Sequence, residues 1–373
     1  MKFQVEKNAL YSGLTIPQKV TDGNPSLNPI LENVFISADE QGVVSVSATD
    51  GFTSVISRFN AEVEVPGTTT VNGKTLFRLV STLSGSEVSL EKKDNQLFIK
   101  NRRSEFELNA ARDEDFPDIV FPSDDVFKSF EPVVMSELIE KTIYSVSVDD
   151  TKPHLMGIFF FCDNKIARSV STDGHRLSLS EFAYEGEFSI PSGIIIPKKG
   201  ASEIKQLADS GLSSMGLAYL TDRKLFAAKM GGTVLTVKTV DSKYPPYEAV
   251  IPKYDSNRIV IPLEPFTTAL KRINVLSEQK SESGVIFSLS PDKLEMYGTD
   301  TLKGKSREEL EVGYEGERVQ VAFNMKFLDQ ILTKIDGSEF FMFLGGSKDA
   351  ALIKPVDNTS FLAVLMPLRI TDN

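Results

Sequence analysis

Three tandem copies of one α+β domain are the fold that this 373-residue sequence predicts, and three observations predict it. A Thr-Asp pair recurs as Ala48-Thr49-Asp50-Gly51, Ser171-Thr172-Asp173-Gly174 and Gly298-Thr299-Asp300, at spacings of about 123 and 127 residues. Each occurrence lies between two runs of alternating apolar residues, the period of a strand with one buried face. Each copy also holds two segments whose apolar residues recur at helical spacing. Copies of about 125 residues fall within the usual domain range.

Copy one opens with a helical pattern over 7–20, which Pro17 should kink or end, because proline lacks the N–H that the next turn needs. A strand over 52–59 follows the first Thr-Asp pair. The second helix is 73–84, where Leu76, Phe77, Leu79, Val80 and Leu83 follow the spacing of one buried face. A hairpin joins 96–100 to 105–108 through Asn101-Arg102-Arg103. Copy two places its first helix over 135–147, with Ser136 and Glu137 suited to the start. It continues with strand 176–182, the turn Tyr184-Glu185-Gly186-Glu187, strand 194–196 and helix 198–209. Copy three repeats the order: helix 263–277, strand 305–312, the turn Tyr314-Glu315-Gly316-Glu317, strand 319–323 and helix 324–336. Two helices and about eight short strands per copy make an α+β domain. Proline-bracketed segments over 116–122 and 244–252 close the first two copies. They set domain limits of 1–124, 125–252 and 253–373 and act as stiff connectors that hold the three domains in a fixed arc.

Composition narrows the class. An apolar fraction of 41% and a charged fraction of 25% are those of a soluble globular protein. No apolar run approaches the roughly 20 residues that cross a bilayer. The opening Met1-Lys2-Phe3-Gln4-Val5-Glu6 lacks the apolar core of a secretory leader. The single cysteine, Cys162, follows Phe159-Phe160-Phe161 in what reads as a buried strand, and it has no partner for an internal disulfide. These features point to a cytoplasmic protein with no membrane partner.

No motif makes a positive case for catalysis. Gly67 to Gly73, followed by Lys74-Thr75, resembles a phosphate loop but has five residues between the glycines where the motif needs four. A strand-to-helix turn is the better reading. His154 and His175 are the only histidines, and no Cys or His cluster has metal-ligand spacing, so neither a metal nor another cofactor is expected. Asp173 and His175 offer a formal acid–base pair. Asp50 and Asp300 hold the same repeat position without a histidine two residues on, so each Asp is expected to satisfy backbone N–H groups at a tight turn.

The net charge of −11 argues globally against a polyanionic partner. Its distribution reads differently: the six predicted helices carry about +5, leaving about −16 on the remainder. Lys74 with Arg78, and Lys198, Lys199 with Lys205, are the densest basic clusters. No aromatic residues interleave with them, which favours phosphate contact blind to sequence over base stacking.

At this point the residues resemble a known family. Ser171-Thr172-Asp173-Gly174-His175-Arg176-Leu177, the Phe116-Pro117-Asp118 and Tyr244-Pro245-Pro246-Tyr247 domain ends, and the terminal Leu365-Met366-Pro367-Leu368-Arg369 closely resemble the bacterial DNA polymerase III beta subunit, the sliding clamp. Met1-Lys2-Phe3 and residues 25–34 look similar as well, so the resemblance covers essentially the whole chain. It implies a head-to-tail homodimer, a closed ring of six similar domains with twelve helices lining the hole and continuous sheets outside. Double-stranded DNA would thread the hole independently of sequence, facing Lys74, Arg78, Lys152, Lys198, Lys199, Lys205, Lys271 and Arg272. The implied function is a processivity factor, a non-catalytic subunit of the DNA polymerase III holoenzyme, which is a DNA-directed DNA polymerase complex.

The same resemblance implies a peptide pocket between the second and third domains. It would serve the DNA polymerase III alpha subunit, the clamp loader, and other DNA polymerases and repair proteins. Matching positions in the second domain are Leu155, Thr172, Gly174, His175, Arg176, Leu177, Pro245 and Val250. Those near the chain end are Val364, Met366, Pro367, Leu368 and Arg369. Leu155, Leu177, Val250, Val364 and Met366 can bury an anchor, each worth up to ~1.5–3 kcal/mol when covered, and the adaptable Met suits several partners. An ordinary interdomain core remains the alternative for any single apolar position. For the subunit interface, Lys74, Arg78, Phe106 and Leu108 of one chain match positions that face Val275 and Leu276 of the other. Three departures stand out. Ala249 stands where many relatives carry arginine, Asn24 replaces an arginine used against DNA, and Pro153-His154 replaces aromatic residues of a DNA-touching loop. Residues 370–373 run past the usual end and could partly cover the pocket. Two other readings compete: a hydrolase or transferase centred on Asp173 and His175, and a monomeric three-domain scaffold that binds peptides without DNA.

Overall fold

The computed structural model describes residues 1–21, 28–253, 258–276, 284–300 and 304–369, the side chains of Thr299 and Asp300 excepted. Residues 24 and 370–373, Ser277 and part of the segment 25–34, all singled out in the sequence, lie outside the described residues. The chain forms two compact units. The first comprises Met1–Ser136, Gly186–Ile190 and Ile196–Val240; the second comprises Glu137–Glu185, Pro191–Ile195 and Asp241–Asn373.

The described α-helices are α1 (Lys7–Thr15), α2 (Pro17–Val20), α3 (Gly73–Thr82), α4 (Pro132–Glu140), α5 (Lys198–Ala208), α6 (Leu263–Leu276) and α7 (Met325–Leu332). The break between α1 and α2 falls at Ile16, immediately before Pro17, as the missing donor demands. Strand Gly67–Asn72 runs directly into α3, so the phosphate-loop lookalike is a strand-to-helix turn. Asn72 caps it: its Oδ1 accepts the Thr75 N–H at 2.9 Å. Copy three repeats the device, with Asn324 Oδ1 accepting the Phe327 N–H at 3.1 Å ahead of α7.

Helix α4 differs from the expected 135–147. It starts at Pro132, a residue suited to the first turn because its absent N–H is not required there. Ser136 and Glu137 therefore sit inside the helix. It ends seven residues early because side chains further on pull the backbone away. Thr142 Oγ1 donates to Ser169 Oγ on strand Ile166–Thr172 at 3.2 Å, and Ser145 Oγ bonds Ser178 Oγ at 2.7 Å. A 3-10 turn, Ile143–Ser145, follows.

The first unit is built on a thirteen-stranded hydrogen-bonded sheet. Within it strand Thr233–Lys238 pairs with Thr53–Asn60, antiparallel, from Thr233↔Ser57 to Val237↔Thr53. Backbone hydrogen bonds thus tie the first sequence copy to the second half of the next. Leu10, Leu14, Val20, Leu76 and Val80 on α1–α3 are buried beside Val34, Ile36, Val46 and Val55 from the strands, an apolar stripe packed on alternating sheet residues.

The second unit repeats the arrangement. Strand Arg176–Ala183 pairs antiparallel with Phe361–Leu365, with Arg176↔Leu365 and Leu177↔Val364 in register. A separate four-stranded sheet has the order Gly304–Glu311, Lys293–Asp300, Gly284–Ser290, Val319–Asn324. Between the sheets and α6 and α7 lies a core in which Phe266 meets Phe287 and Phe340 edge to face, with ring centres 5.7 and 5.4 Å apart.

The first two Thr-Asp pairs behave as turns. Asp50 Oδ1 accepts the Phe52 and Thr53 N–H groups at 2.9 and 2.6 Å. Asp173 Oδ1 accepts those of His175 and Arg176 at 2.9 and 3.0 Å. Gly51 and Gly174 follow at φ of +88° and +91°, where a side chain would be strained. In copy three, Asp300 ends a strand paired with Gly304, and 301–303 lie outside the described residues.

Candidate functional site

Seven of the predicted pocket residues are brought together in the second unit by the turn at Asp173 and one strand pair. The turn holds Thr172, Gly174 and His175 at the head of the strand that carries Arg176 and Leu177. The neighbouring strand delivers Val364 opposite Leu177. Met366 is fixed at the turn by its N–H, which donates to the His175 carbonyl at 2.9 Å. Leu155 closes a 3-10 turn, and its carbonyl accepts the Ser147 N–H at 3.0 Å. Leu155, Leu177 and Val364 are buried, whereas Met366 is 48% and Val250 56% exposed. Tyr244 and Tyr247 anchor the segment that bears Pro245 and Val250. Tyr244 stacks on Phe159 at 4.9 Å, and the Tyr247 hydroxyl takes a hydrogen bond from Arg168 Nη1 at 2.8 Å. Burial of both rings pushes their phenols up. Pro367, Leu368 and Arg369 continue from Met366, and the Leu368 N–H donates to the Ala322 carbonyl at 2.7 Å.

Arg176 is buried and its donors are taken within the fold. Nε donates to Asp173 Oδ2 at 3.0 Å, Nη1 to Gln330 Oε1 at 2.5 Å and Nη2 to the Tyr144 carbonyl at 2.7 Å. The guanidinium lies 4.3 Å from the Phe327 ring centre and 5.1 Å from that of Tyr144. It fastens the turn to α7 and does not reach out. Desolvation pushes the Tyr144 phenol up to about 12. Tyr144, Phe327 and Gln330 were missed in the sequence: Phe327 and Gln330 sit on the helix of another copy, and no local pattern links them to Asp173.

The acid–base reading fails on this geometry. Asp173 spends one oxygen on two backbone N–H groups, that of His175 included, and the other on Arg176. The His175 ring is exposed and stacks toward Phe327 at 6.3 Å. No proton relay joins the two side chains.

The basic positions differ in exposure. Lys74, Arg78, Lys198 and Lys271 are exposed on α3, α5 and α6. Lys199 is half-buried and donates to Asp50 Oδ2 at 2.8 Å and the Val20 carbonyl at 3.1 Å. Lys205 pairs with Asp209 at 2.7 Å, Arg272 makes a two-pronged pair with Glu308 at 2.7 and 2.6 Å, and Lys152 sits 3.4 Å from Asp149. Lys141, counted with the helical cations, is buried and paired with Asp336 at 2.6 Å. Exposed pairs of this kind are worth ~0–1 kcal/mol and exchange readily for other anions. Of the interface positions, Phe106 and Leu108 lie half-buried on strand Ser104–Ala111. That strand pairs with Gln96–Asn101 and touches Gly67–Asn72 only through Ala110 and Ala111. Val275 is 75% exposed near the end of α6, beside Leu276.

A repeated α+β domain with basic residues exposed on its helices and a turn aspartate spent on structure defines a scaffold of the DNA-clamp class. Family models agree along the chain: the DNA polymerase III beta subunit N-terminal domain matches residues 1–120, the central domain 130–246 and the C-terminal domain 248–369. The chain belongs to the DNA polymerase III beta subunit, or beta sliding clamp, family. It is 32% identical over 381 residues to the beta sliding clamp of Caulobacter vibrioides, covering 99% of this chain and 100% of the relative. A crystal structure of the Caulobacter crescentus clamp superposes with a TM-score of 0.90 at 29% identity, covering 99% of both chains. That of the Thermotoga maritima beta subunit gives 0.92 at 25%, covering 99% of this chain and 100% of that one. The family's function is that of a DNA sliding clamp, a non-catalytic processivity subunit of DNA polymerase III. Among the described residues no helix is long and apolar enough to cross a membrane.

Proposed function

We propose that two copies join head to tail into a closed six-domain ring through which double-stranded DNA threads. The turn and strand ends that carry Leu177, Val364 and Met366 then tether the DNA polymerase III alpha subunit, the clamp loader, and other polymerases and repair proteins by short peptides. One observation carries the tethering: apolar Met366 and Val250 stand exposed on a frame whose turn, strand register and buried arginine are all fixed by hydrogen bonds. An apolar surface held rigid and left open to water favours an occupant.

The ring reading draws on open strand edges. Residues 104–109 and the strand Gly304–Glu311 each have one side without a strand partner among the described residues. An unpaired edge is a template for another chain, and pairing the first with the second in a neighbouring copy brings Phe106 and Leu108 toward α6 with Val275 and Leu276. Lys74, Arg78, Lys152, Lys198, Lys199, Lys205, Lys271 and Arg272 would face the DNA backbone. Domain limits of 1–124, 125–252 and 253–373 fit this reading, and DNA as the partner assigns the work to the cytoplasm. Sedimentation equilibrium tests it: the expected mass is twice 41.2 kDa, and a stable monomer overturns it. Release from a DNA circle once the circle is cut, with retention before cutting, tests encirclement.

A further inference from the structure

The joint between sequence copies is built the same way in both units. In the second, the Glu181 N–H donates to the Ser360 carbonyl at 2.7 Å; in the first, the Arg58 N–H donates to the Gly232 carbonyl at 2.9 Å. Helices α1 and α4 are each 9 residues long, so Ile16 and Lys141 hold the same place, one past the last helical residue. Helices α5 and α7 start at Lys198 and Met325, so Asp209 and Asp336 also hold one place in the repeat. In the second unit Lys141 spans the gap between its two helices. It is buried, and its Nζ donates to Asp336 Oδ2 and to the Lys334 carbonyl, both at 2.6 Å. In the first unit Ile16 stands in its place with no charge to offer, and a cavity of about 570 Å3 remains. Gly13 and Ile16 of α1, Leu207 of α5, Leu212 and Met230 give it apolar walls, and Asp209 and Arg58 line it too. Asp209 turns instead to Lys205 Nζ on its own helix and to the Ser136 hydroxyl, at 2.7 and 2.5 Å.

We propose that this cavity takes a small aliphatic primary amine, whose ammonium replaces that of Lys141 at Asp209 and whose alkyl stem lies along Ile16, Leu207 and Met230. The volume is that of a small-molecule site, and the walls gain from covering an apolar stem. An ammonium brings three donors, enough for the Asp209 carboxylate and a carbonyl at the end of α5, where the helix dipole is negative. The pair of Asp209 with Lys205 is partly exposed and exchanges readily for a second cation. An anion with an apolar tail would answer the exposed Arg58, but in the same space it meets Asp209 and the negative end of α5, in a chain of net charge −11. None of the lining residues belongs to the predicted peptide positions. A bound amine braces the first joint as Lys141 braces the second.

Ligand-observed NMR and thermal melting on the full chain test this with hexylamine, hexanol and hexanoate as probes. Hexylamine should bind with a Kd of about 1 mM, the scale a ligand of so few atoms reaches, and raise the melting temperature. Hexanol and hexanoate should bind about fivefold more weakly or worse, and Asp209→Asn should weaken hexylamine about fivefold. Ile16→Lys should rebuild the missing strap: a higher melting temperature without ligand, and loss of hexylamine binding. If that variant does not fold, Ala9→Phe, which fills the cavity from α1, should lose the binding in its place. Hexanoate binding as tightly as hexylamine makes Arg58 the anchor and overturns the inference. Unchanged binding to Asp209→Asn, or no binding of hexylamine to the unaltered chain, overturns it as well. Binding that survives when the cavity is filled marks a general attraction to the acidic surface and overturns it too.

Discussion

Two side chains separate structure from binding. Arg176 and Met366 lie within hydrogen-bonding reach of the same turn, yet one is buried and fully engaged and the other half in water. Arg176→Ala leaves Asp173, Gln330 and the Tyr144 carbonyl without their donor, and should cost about 3 kcal/mol, read as a lower melting temperature. Met366→Ala should change stability by less than about 1 kcal/mol and weaken partner peptides severalfold in an anisotropy titration. Cys162 is buried and desolvation pushes its thiol up to about 12, with the Asp163 charge adding to the effect. It should resist a thiol reagent at pH 8 until denaturant is added, because the thiolate is the reactive form. Glu203 on α5 is buried with Oε2 unpartnered, and desolvation raises its pKa against the pull of Lys19 and Lys199, with Asp50 reinforcing the rise. The folded state therefore binds this proton more tightly than the unfolded chain. The resulting stability is present below the ordinary glutamate range and is lost as pH rises through the raised value. Glu203→Gln should accordingly raise the melting temperature at pH 7–8 and have little effect near pH 4; an equal shift at both would refute the assignment.

At the level of elements, the copies share devices as well as patterns. Asn72 and Asn324 cap α3 and α7 with the same hydrogen bond. Replacing either by Ala should cost about 1 kcal/mol, seen as a lower denaturant midpoint with unchanged slope. The helical stripe of Leu76 and Val80, and the proline break ahead of α2, are local signals and were readable in the sequence. The end of α4 was not: the apolar pattern runs on toward residue 147, but Thr142 and Ser145 find better partners on the sheet than in another helical turn. Tertiary hydrogen bonds overruled helical periodicity there.

Across the whole molecule, the two internal sheet joints, Thr233–Lys238 with Thr53–Asn60 and Phe361–Leu365 with Arg176–Ala183, use the same antiparallel register logic one copy apart. The open edges at 104–109 and Gly304–Glu311 offer a third joint of this kind between chains. Placing a proline at Phe106 or Glu308 should block it, because an edge proline cannot join a ladder. The expected result is a monomer of 41.2 kDa by light scattering that no longer stays on circular DNA; a persistent dimer would count against edge pairing.

The sequence by itself determined the repeat, the domain class and the resemblance, because strand alternation, helical spacing and turn residues are written over stretches of a few residues each. The resemblance also put Gly174, Leu177 and Met366 in one group, because the strings around them match the family. Only the tertiary structure decided that Lys199 and Arg272 are spent on pairs, that Arg176 is a buried fastener, and that Tyr144, Phe327 and Gln330 complete its setting. Such choices depend on which residues far apart in the chain arrive within about 3–4 Å of each other, and the spacing of residues along one strand or helix carries no record of that.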